Sequence, residues 1–366
     1  MSLKESEKFF VFVRNLIGND KTPIIITPQE WYLFFYFCQK QAITGVIFDR
    51  IKDMSLLDMH IPKDLLYEWI AVSEQIREQN KRVDRRCIEL TQYLLERGFR
   101  SCILKGQGNA LMYPNPYCRV SGDIDIWVEG NRRDIEMLVR NNYPHVFENY
   151  HHIDFPLFDD VPVEVHFTPG TLTRPKYNKR FQQYVREHSK EEMKNKVHLG
   201  DEDNPVCVST LNFNVIYQMA HMMVHFFDEG VGLRHFIDYY YVLKFTREKR
   251  LDKIEIIKTM QSMGLAKFAS GVMWIEKNIL GLKDDYIIIN PSEKIGKVIF
   301  HEIVEGGNFG QYDKRYALRK YGYLGRGISD TVRLLRLFTT FPSESIWKII
   351  WKAHNQRWKI KERIIH

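Results

Sequence analysis

The chain has 366 residues, enough for more than one domain and a sizeable core. It is 44% hydrophobic and 27% charged with a net charge of +7, the balance of a globular protein. Its five cysteines are odd in number and contain no CxxC pair, which argues against a disulfide framework or cysteine zinc site and fits a reducing cytoplasm. No stretch approaches the ~18 uncharged apolar residues of a membrane span. The opening MSLKESEKFF is charged and has no signal core, so a cytoplasmic location is expected. The basicity is local: from residue 313 onward, 13 Lys and Arg stand against 4 Asp and Glu.

The first hundred residues read as helical. Thr27 followed by Pro28 is a helix start, and Trp31 to Cys38 is apolar nearly all round, as in a buried helix. A second helix is expected from Lys63 to Arg97, stopped at Gly98. Phe99 to Leu104 reads as a short strand, broken by Lys105-Gly106-Gln107-Gly108, with a helical turn starting at Asn109. A strand, a glycine turn and a helix start can hold an anion, though the same pattern also makes an ordinary turn. It is not a Walker A loop, because the GxxxxGK[ST] spacing is missing. Tyr113 to Tyr117 carries two prolines and reads as a loop that delivers Arg119, Ser121 and Gly122 to the next strand.

That strand, Gly122 to Val128, carries Asp123 and Asp125 two residues apart. Residues i and i+2 of a strand share a face, so the two carboxylates lie side by side. They raise each other's pKa unless a cation lies between them, and a hard divalent ion suits oxygen donors. A solvated strand edge is the alternative. Asn131 to Asn142 reads as an amphipathic helix with Ile135, Leu138 and Val139 inward. Strands return from Val146 to Phe167. Glu164 and His166 share one face there, and Val163, Val165 and Phe167 the other. If its strand pairs beside the aspartates, Glu164 would complete a three-carboxylate metal cluster; an exposed strand residue is the alternative. His166 is either a substrate contact or a hydrogen-bonded structural histidine, and His151-His152 reads as loop surface.

Residues 168–207 read as loop plus a charged helix from Arg186 to Lys196. The remainder is helical. His221 and His225 are spaced i, i+4 but lie outside any HExxH pattern. Arg234 and Asp238, also i, i+4, form either a structural pair or, through Arg234, a phosphate contact. Lys253 to Leu282 reads as further packed helices. The last helix, with Trp347, Trp351 and Trp358 among lysines, either packs its Trp face on the protein and shows Lys to water or contacts RNA or an anionic membrane.

In order, Leu104-Lys105-Gly106, Arg119 with Gly122-Asp123-Ile124-Asp125, Glu164-Val165-His166, and His221/His225 leading to Gly232-Leu233-Arg234 and Asp238 resemble a known group. The group is the bacterial uncharacterised nucleotidyltransferases, within the superfamily with a DNA polymerase beta-like core. The resemblance spans about Cys102 to Leu243. It implies an α+β fold: a small mixed-sheet nucleotidyltransferase core at 99–205, an N-terminal helical region at 1–98 packing on it, and a C-terminal helical domain with the basic tail at 206–366. It implies transfer of an NMP from an NTP to an acceptor that the sequence does not name, a small molecule, protein or RNA. Asp123, Asp125 and Glu164 would be catalytic and hold Mg²⁺, with Mn²⁺ as a substitute. Lys105, Gly106, Gln107, Arg119, Ser121, Gly122, His166 and Arg234 would contact the nucleotide. The superfamily's usual Gly-Ser or Gly-Gly turn is replaced by Lys105-Gly106-Gln107, so Lys105 or backbone N–H groups would stand in for the missing hydroxyl. An inactive nucleotide-binding or scaffold protein of the same fold is the alternative. Oligomeric state is left open.

Overall fold

The structure, a computed structural model, describes residues 3–18, 24–52, 59–200 and 204–361. Helices α1 (Leu3–Gly18), α2 (Pro28–Lys40), α3 (Thr44–Ile51) and α4 (Lys63–Glu96) come first. A mixed segment follows: β1 (Ser101–Ile103), α5 (Gly106–Ala110), β2 (Ile124–Val128), α6 (Arg132–Arg140), β3 (His152–Asp154), β4 (Val163–His166), α7 (Pro175–Glu192), β5 (Lys196–Val197) and β6 (Val206–Cys207). The chain ends in α8 (Leu211–Asp228), α9 (Leu233–Glu248), α10 (Lys253–Ser262), α11 (Ala266–Asn278), α12 (Glu293–Gly306), α13 (Gly322–Phe338) and α14 (Pro342–Lys361). The fold is α+β, with many helices around one small mixed sheet. None of the described helices is long and apolar enough to cross a membrane.

The local rules hold at both early helices. Thr27 caps α2 in a capping box with Glu30, and Pro28 sits in its first turn. Gly98 takes φ +82 just past α4, a conformation that favours glycine. On α2, Trp31, Phe34 and Phe37 are buried with Trp69 of α4. Each ring contributes about 2–3 kcal/mol of burial. Helices α1 to α3 share one apolar core with α8 to α12. A second core joins α4 and α6 to one face of the sheet.

The sheet order is β1-β2-β4-β3, with β2 and β4 parallel and both outer pairs antiparallel. All five residues of β2 are buried. Ile124, Ile126 and Val128 face α4 and α6, while Trp127 stacks on Phe213 of α8 from the other side. Covering both faces of this short strand leaves Asp125 inside the protein, not on a solvated edge.

Four local expectations are corrected. α5 begins at Gly106, three residues before the expected helical turn at Asn109. The loop through Pro116 forms one 3-10 turn, Pro116–Cys118, with Asn115 accepting a hydrogen bond from the Tyr117 amide. The charged helix placed at Arg186–Lys196 is the end of a helix that starts at Pro175, with proline in its first turn. It is followed by an antiparallel β5/β6 pair that was not foreseen. Two-residue strands carry no usable periodicity. In α14 the expected face is altered: Lys348 is buried on Asp228 at 2.6 Å, while Ile346, Ile349 and Ile350 are exposed. A nearby carboxylate compensates the lysine, which composition along one helix cannot reveal. The side chain of Trp358 lies outside the described residues.

Candidate active site

The site is built where β1, β2 and β4 end against α8. Strands β2 and β4 pair in the register Asp125↔Glu164 and Trp127↔His166, and β3 adds Asp154↔Glu164 and His152↔His166. Residues in register share a face, so one face carries a carboxylate row (Asp154, Glu164, Asp125) and, one step along, the row His152, His166, Trp127. Asp125, Glu164, His152 and His166 of these rows line a cavity of about 570 Å³. Lys105, Gly106, Arg119, Gly122, Asp123 and Arg234 also line it, with His221 and His225 from α8 and Trp351 from the basic tail.

Helix α4 positions the loop that leads into β2. Asn80 is fully buried and its amide donates to the carbonyls of Ile76, Tyr117 and Arg119. Asp84, one turn on, accepts from Gln107. The expected nucleotide contact by Gln107 is therefore corrected: its side chain is turned into the interior, because α5 starts early and rotates it away. Ser121 is half-buried, does not line the cavity, and its Oγ has no hydrogen-bond partner.

Asp125 is held from two sides. Lys105 Nζ lies 2.9 Å from Oδ2, and His166 Nε2 lies 2.9 Å from Oδ1. Burial works to raise this carboxyl, but Lys105 and His166 outweigh it and hold it well below the usual carboxylate range. Burial likewise works against a charged His166, yet Asp125 and Glu164 push it up to about 9. Asp123 stands at the open mouth, and repulsion from Asp125 pushes it up to about 6. Glu164 Oε2 lies 3.0 Å from His152 Nδ1 and 3.6 Å from His166 Nε2. Burial works to raise Glu164, but its contact with His166 outweighs that and lowers it. Lys105 adopts φ +50, ψ −127, a strained geometry for a non-glycine residue. That geometry aims its ammonium both at Asp125 and at His221 Nε2, 2.8 Å away. His221 Nε2 is in turn 2.9 Å from His225 Nε2, and His225 Nδ1 is 2.8 Å from Glu229.

The Arg234–Asp238 pair is corrected. Asp238 accepts from Arg119 Nε and Nη2 at 2.7 and 2.8 Å, and from the Tyr113 hydroxyl at 2.6 Å. Arg234 instead donates to the Val120 carbonyl at 2.9 Å. A bidentate guanidinium–carboxylate pair is stronger than a helix-surface i, i+4 pair, so the distant arginine takes the aspartate. His151-His152, expected as loop surface, is corrected as well: both line the cavity, and His152 is buried. Only the i+2 spacing of His166 from Glu164 pointed at this row.

The donors fit a divalent cation. Asp125, Glu164 and His166 each offer a ligand atom within 4.8 Å of the others. Asp123 is outside that grouping but lines the same cavity, and its raised pKa marks negative charge that a cation would relieve.

No curated protein matches the sequence. Among solved structures, the chain is similar to an antigenic nucleotidyltransferase-like protein from Paracoccidioides brasiliensis. The identity is 11% over 60% of this chain and 96% of that one, with a TM-score of 0.32. A family model matches residues 27–281, most of the helices and the whole of the site's sheet. On that match, the chain belongs to the family described as uncharacterised nucleotidyltransferases.

Proposed function

We propose that the protein moves a nucleotidyl group from an NTP to an acceptor hydroxyl, with Mg²⁺, or Mn²⁺ in its place, held by Asp123, Asp125 and Glu164. The observation that carries this reading is the Asp125↔Glu164 register on adjacent parallel strands, opening into a cavity that also holds Asp123 and Lys105. When bound, the cation neutralises charge on the triphosphate and lowers the pKa of the attacking hydroxyl. The acceptor oxygen forms a bond to the α-phosphorus, the bond to the β-phosphate oxygen breaks, and pyrophosphate leaves.

The chain's own groups do the positioning. Lys105 is the cation nearest the carboxylates and supplies the phosphate contact that a serine turn would otherwise give. His166 fixes Asp125 from behind. Arg119 is committed to Asp238, so in this reading it holds the Arg119–Gly122 loop in place and leaves charge neutralisation to Lys105 and Arg234. Tyr217, Phe309 and Trp351 add aromatic wall to the cavity.

A second reading, a non-catalytic nucleotide-binding protein, is favoured by one observation: both oxygens of Asp125 are already engaged, by Lys105 and His166. Pyrophosphate release separates the two. With each of the four NTPs and Mg²⁺, the transferase reading expects release with at least one. It also expects a loss on the order of 10²–10³-fold in Asp125→Asn, with circular dichroism unchanged. Equal release by the variant sinks the assignment of Asp125. No release by wild type despite metal-dependent NTP binding supports the second reading.

A further inference from the structure

Beside the carboxylates, the rings of His151, His152 and His166 form a cluster of which nucleotidyl transfer uses only one edge, the His166 Nε2 that holds Asp125. Their centroids lie 4.8, 5.2 and 5.4 Å apart. Each ring offers a nitrogen within 4.8 Å of the other two. His166 is only 3% exposed, yet its Nδ1 has no hydrogen-bond partner, and neither does the buried Nδ1 of His151. A buried polar atom left unpartnered loses its hydration without recompense, so two in neighbouring rings call for an explanation.

We propose that His151, His152 and His166 form a site for a first-row divalent transition ion that favours nitrogen, such as Zn²⁺ or Co²⁺, separate from the oxygen-donor position of Asp123, Asp125 and Glu164. The proposal goes beyond nucleotidyl transfer and stands whether or not the protein transfers a nucleotide.

Three arguments support it. The first is donor chemistry: imidazole nitrogen suits transition ions, whereas Mg²⁺ takes oxygen and keeps its water. The second is orientation. Glu164 Oε2 sits 3.0 Å from His152 Nδ1, which makes that nitrogen the donor and leaves the lone pair on Nε2. A carboxylate behind a histidine is how metal-ligating rings are commonly held. Nε2 of His152 now lies 3.0 Å from the Asn149 amide nitrogen, a neutral loop side chain that can yield to a cation. The third is reach. A tetrahedral site with Zn–N of about 2.0–2.1 Å needs nitrogens roughly 3.3 Å apart. One nitrogen of each ring already lies within 4.8 Å of the other two, with His152 and His166 held by the β3/β4 ladder, so the set is within side-chain adjustment of that spacing. His166 Nε2 faces Asp125, so Nδ1 takes the metal, and the ring gives up its second proton on binding.

The test uses the full chain, stripped with a chelator and titrated with Co²⁺ in excess Mg²⁺. The visible absorption of Co²⁺ reports nitrogen-rich, low-coordinate binding. We expect one Co²⁺ per chain, displaced by Zn²⁺ and not by Mg²⁺. Affinity should fall about tenfold or more in His152→Ala and in His151→Gln, and stay within about twofold in Asp123→Asn. Because His151 joins the sheet only through its main-chain carbonyl, which accepts from the Phe167 amide and is kept by glutamine, His151→Gln keeps the fold, checked by circular dichroism, even where His152→Ala does not. Three results overturn the proposal: no stoichiometric Co²⁺ binding, full binding by folded His151→Gln, or displacement by Mg²⁺ together with loss in Asp123→Asn. The last would place the ion on the carboxylates. Because the readout is binding alone, loss of pyrophosphate release leaves it untouched.

Discussion

Two polar clusters share the wall of one cavity and are built in opposite ways. In the first, Arg119, Tyr113 and Asp238 satisfy one another: Asp238 accepts three hydrogen bonds of 2.6 to 2.8 Å. Burial works to raise Asp238, and Arg119 outweighs it and lowers it. In the second, around Asp125, neighbours work against each other. Asp123 is pushed up to about 6 by Asp125. Burial, then Glu164, pushes Asp154 up to about 6. Burial, then His166, pushes His152 down to about 4. A closed cluster whose charges compensate holds a loop in place. An open one whose members depart from their ordinary ionisation is where binding and chemistry are expected. On this contrast Arg119 belongs with the scaffold, although its sequence position suggested the nucleotide.

The contrast breaks first at Asp238. Asp238→Asn leaves the Arg119 charge buried without its counterion. It should cost about 3–5 kcal/mol in urea unfolding. A cost below about 1 kcal/mol would show that the closed cluster is not structural. Next comes His166, whose folded pKa is raised to about 9 from 6.5. Its contribution is fully present below pH 6.5 and is lost as pH rises through 9. With a chelator present, stability should fall by roughly 3 kcal/mol across that window. His166→Gln should flatten the profile, and an unchanged slope would remove the Asp125–His166 contact from the account. The smallest effect concerns Asp123. A carboxylate with a raised pKa is unfavourable when charged in the folded state, so it destabilises above its unfolded pKa. Asp123→Asn should raise the melting temperature at pH 7 on the order of a degree or two, with the gain vanishing near pH ~4. A gain in stability joined to a loss of pyrophosphate release marks a residue kept for function.

Much of the site was legible because strands have period two. The spacing Asp123-x-Asp125 and Glu164-x-His166 placed these side chains on one face of each strand, and the fold paired the two strands in register. The turn at Lys105 was legible as a break between strand and helix. The direction of Gln107 was not, because it depends on which residue begins α5. The Arg119–Asp238 pair joins residues 119 positions apart, which no local pattern can reveal. His151 and His152 read as surface because their burial comes from the β3/β4 ladder and from neighbours such as His166 and Phe147. Likewise Lys348 read as exposed because its partner, Asp228, ends a helix far earlier in the chain. The helices were legible where caps and prolines mark them, at Thr27 and Gly98, and slipped where charge alone was the guide, at α7.

The most direct test of the central claim is calorimetric. Each of ATP, GTP, CTP and UTP is titrated into wild type and Asp125→Asn, with Mg²⁺ and with a chelator. The account predicts that at least one NTP binds wild type only with Mg²⁺, and that Asp125→Asn loses this binding with its fold intact. Binding of equal strength in chelator and in Asp125→Asn, or no binding of any NTP, would contradict it.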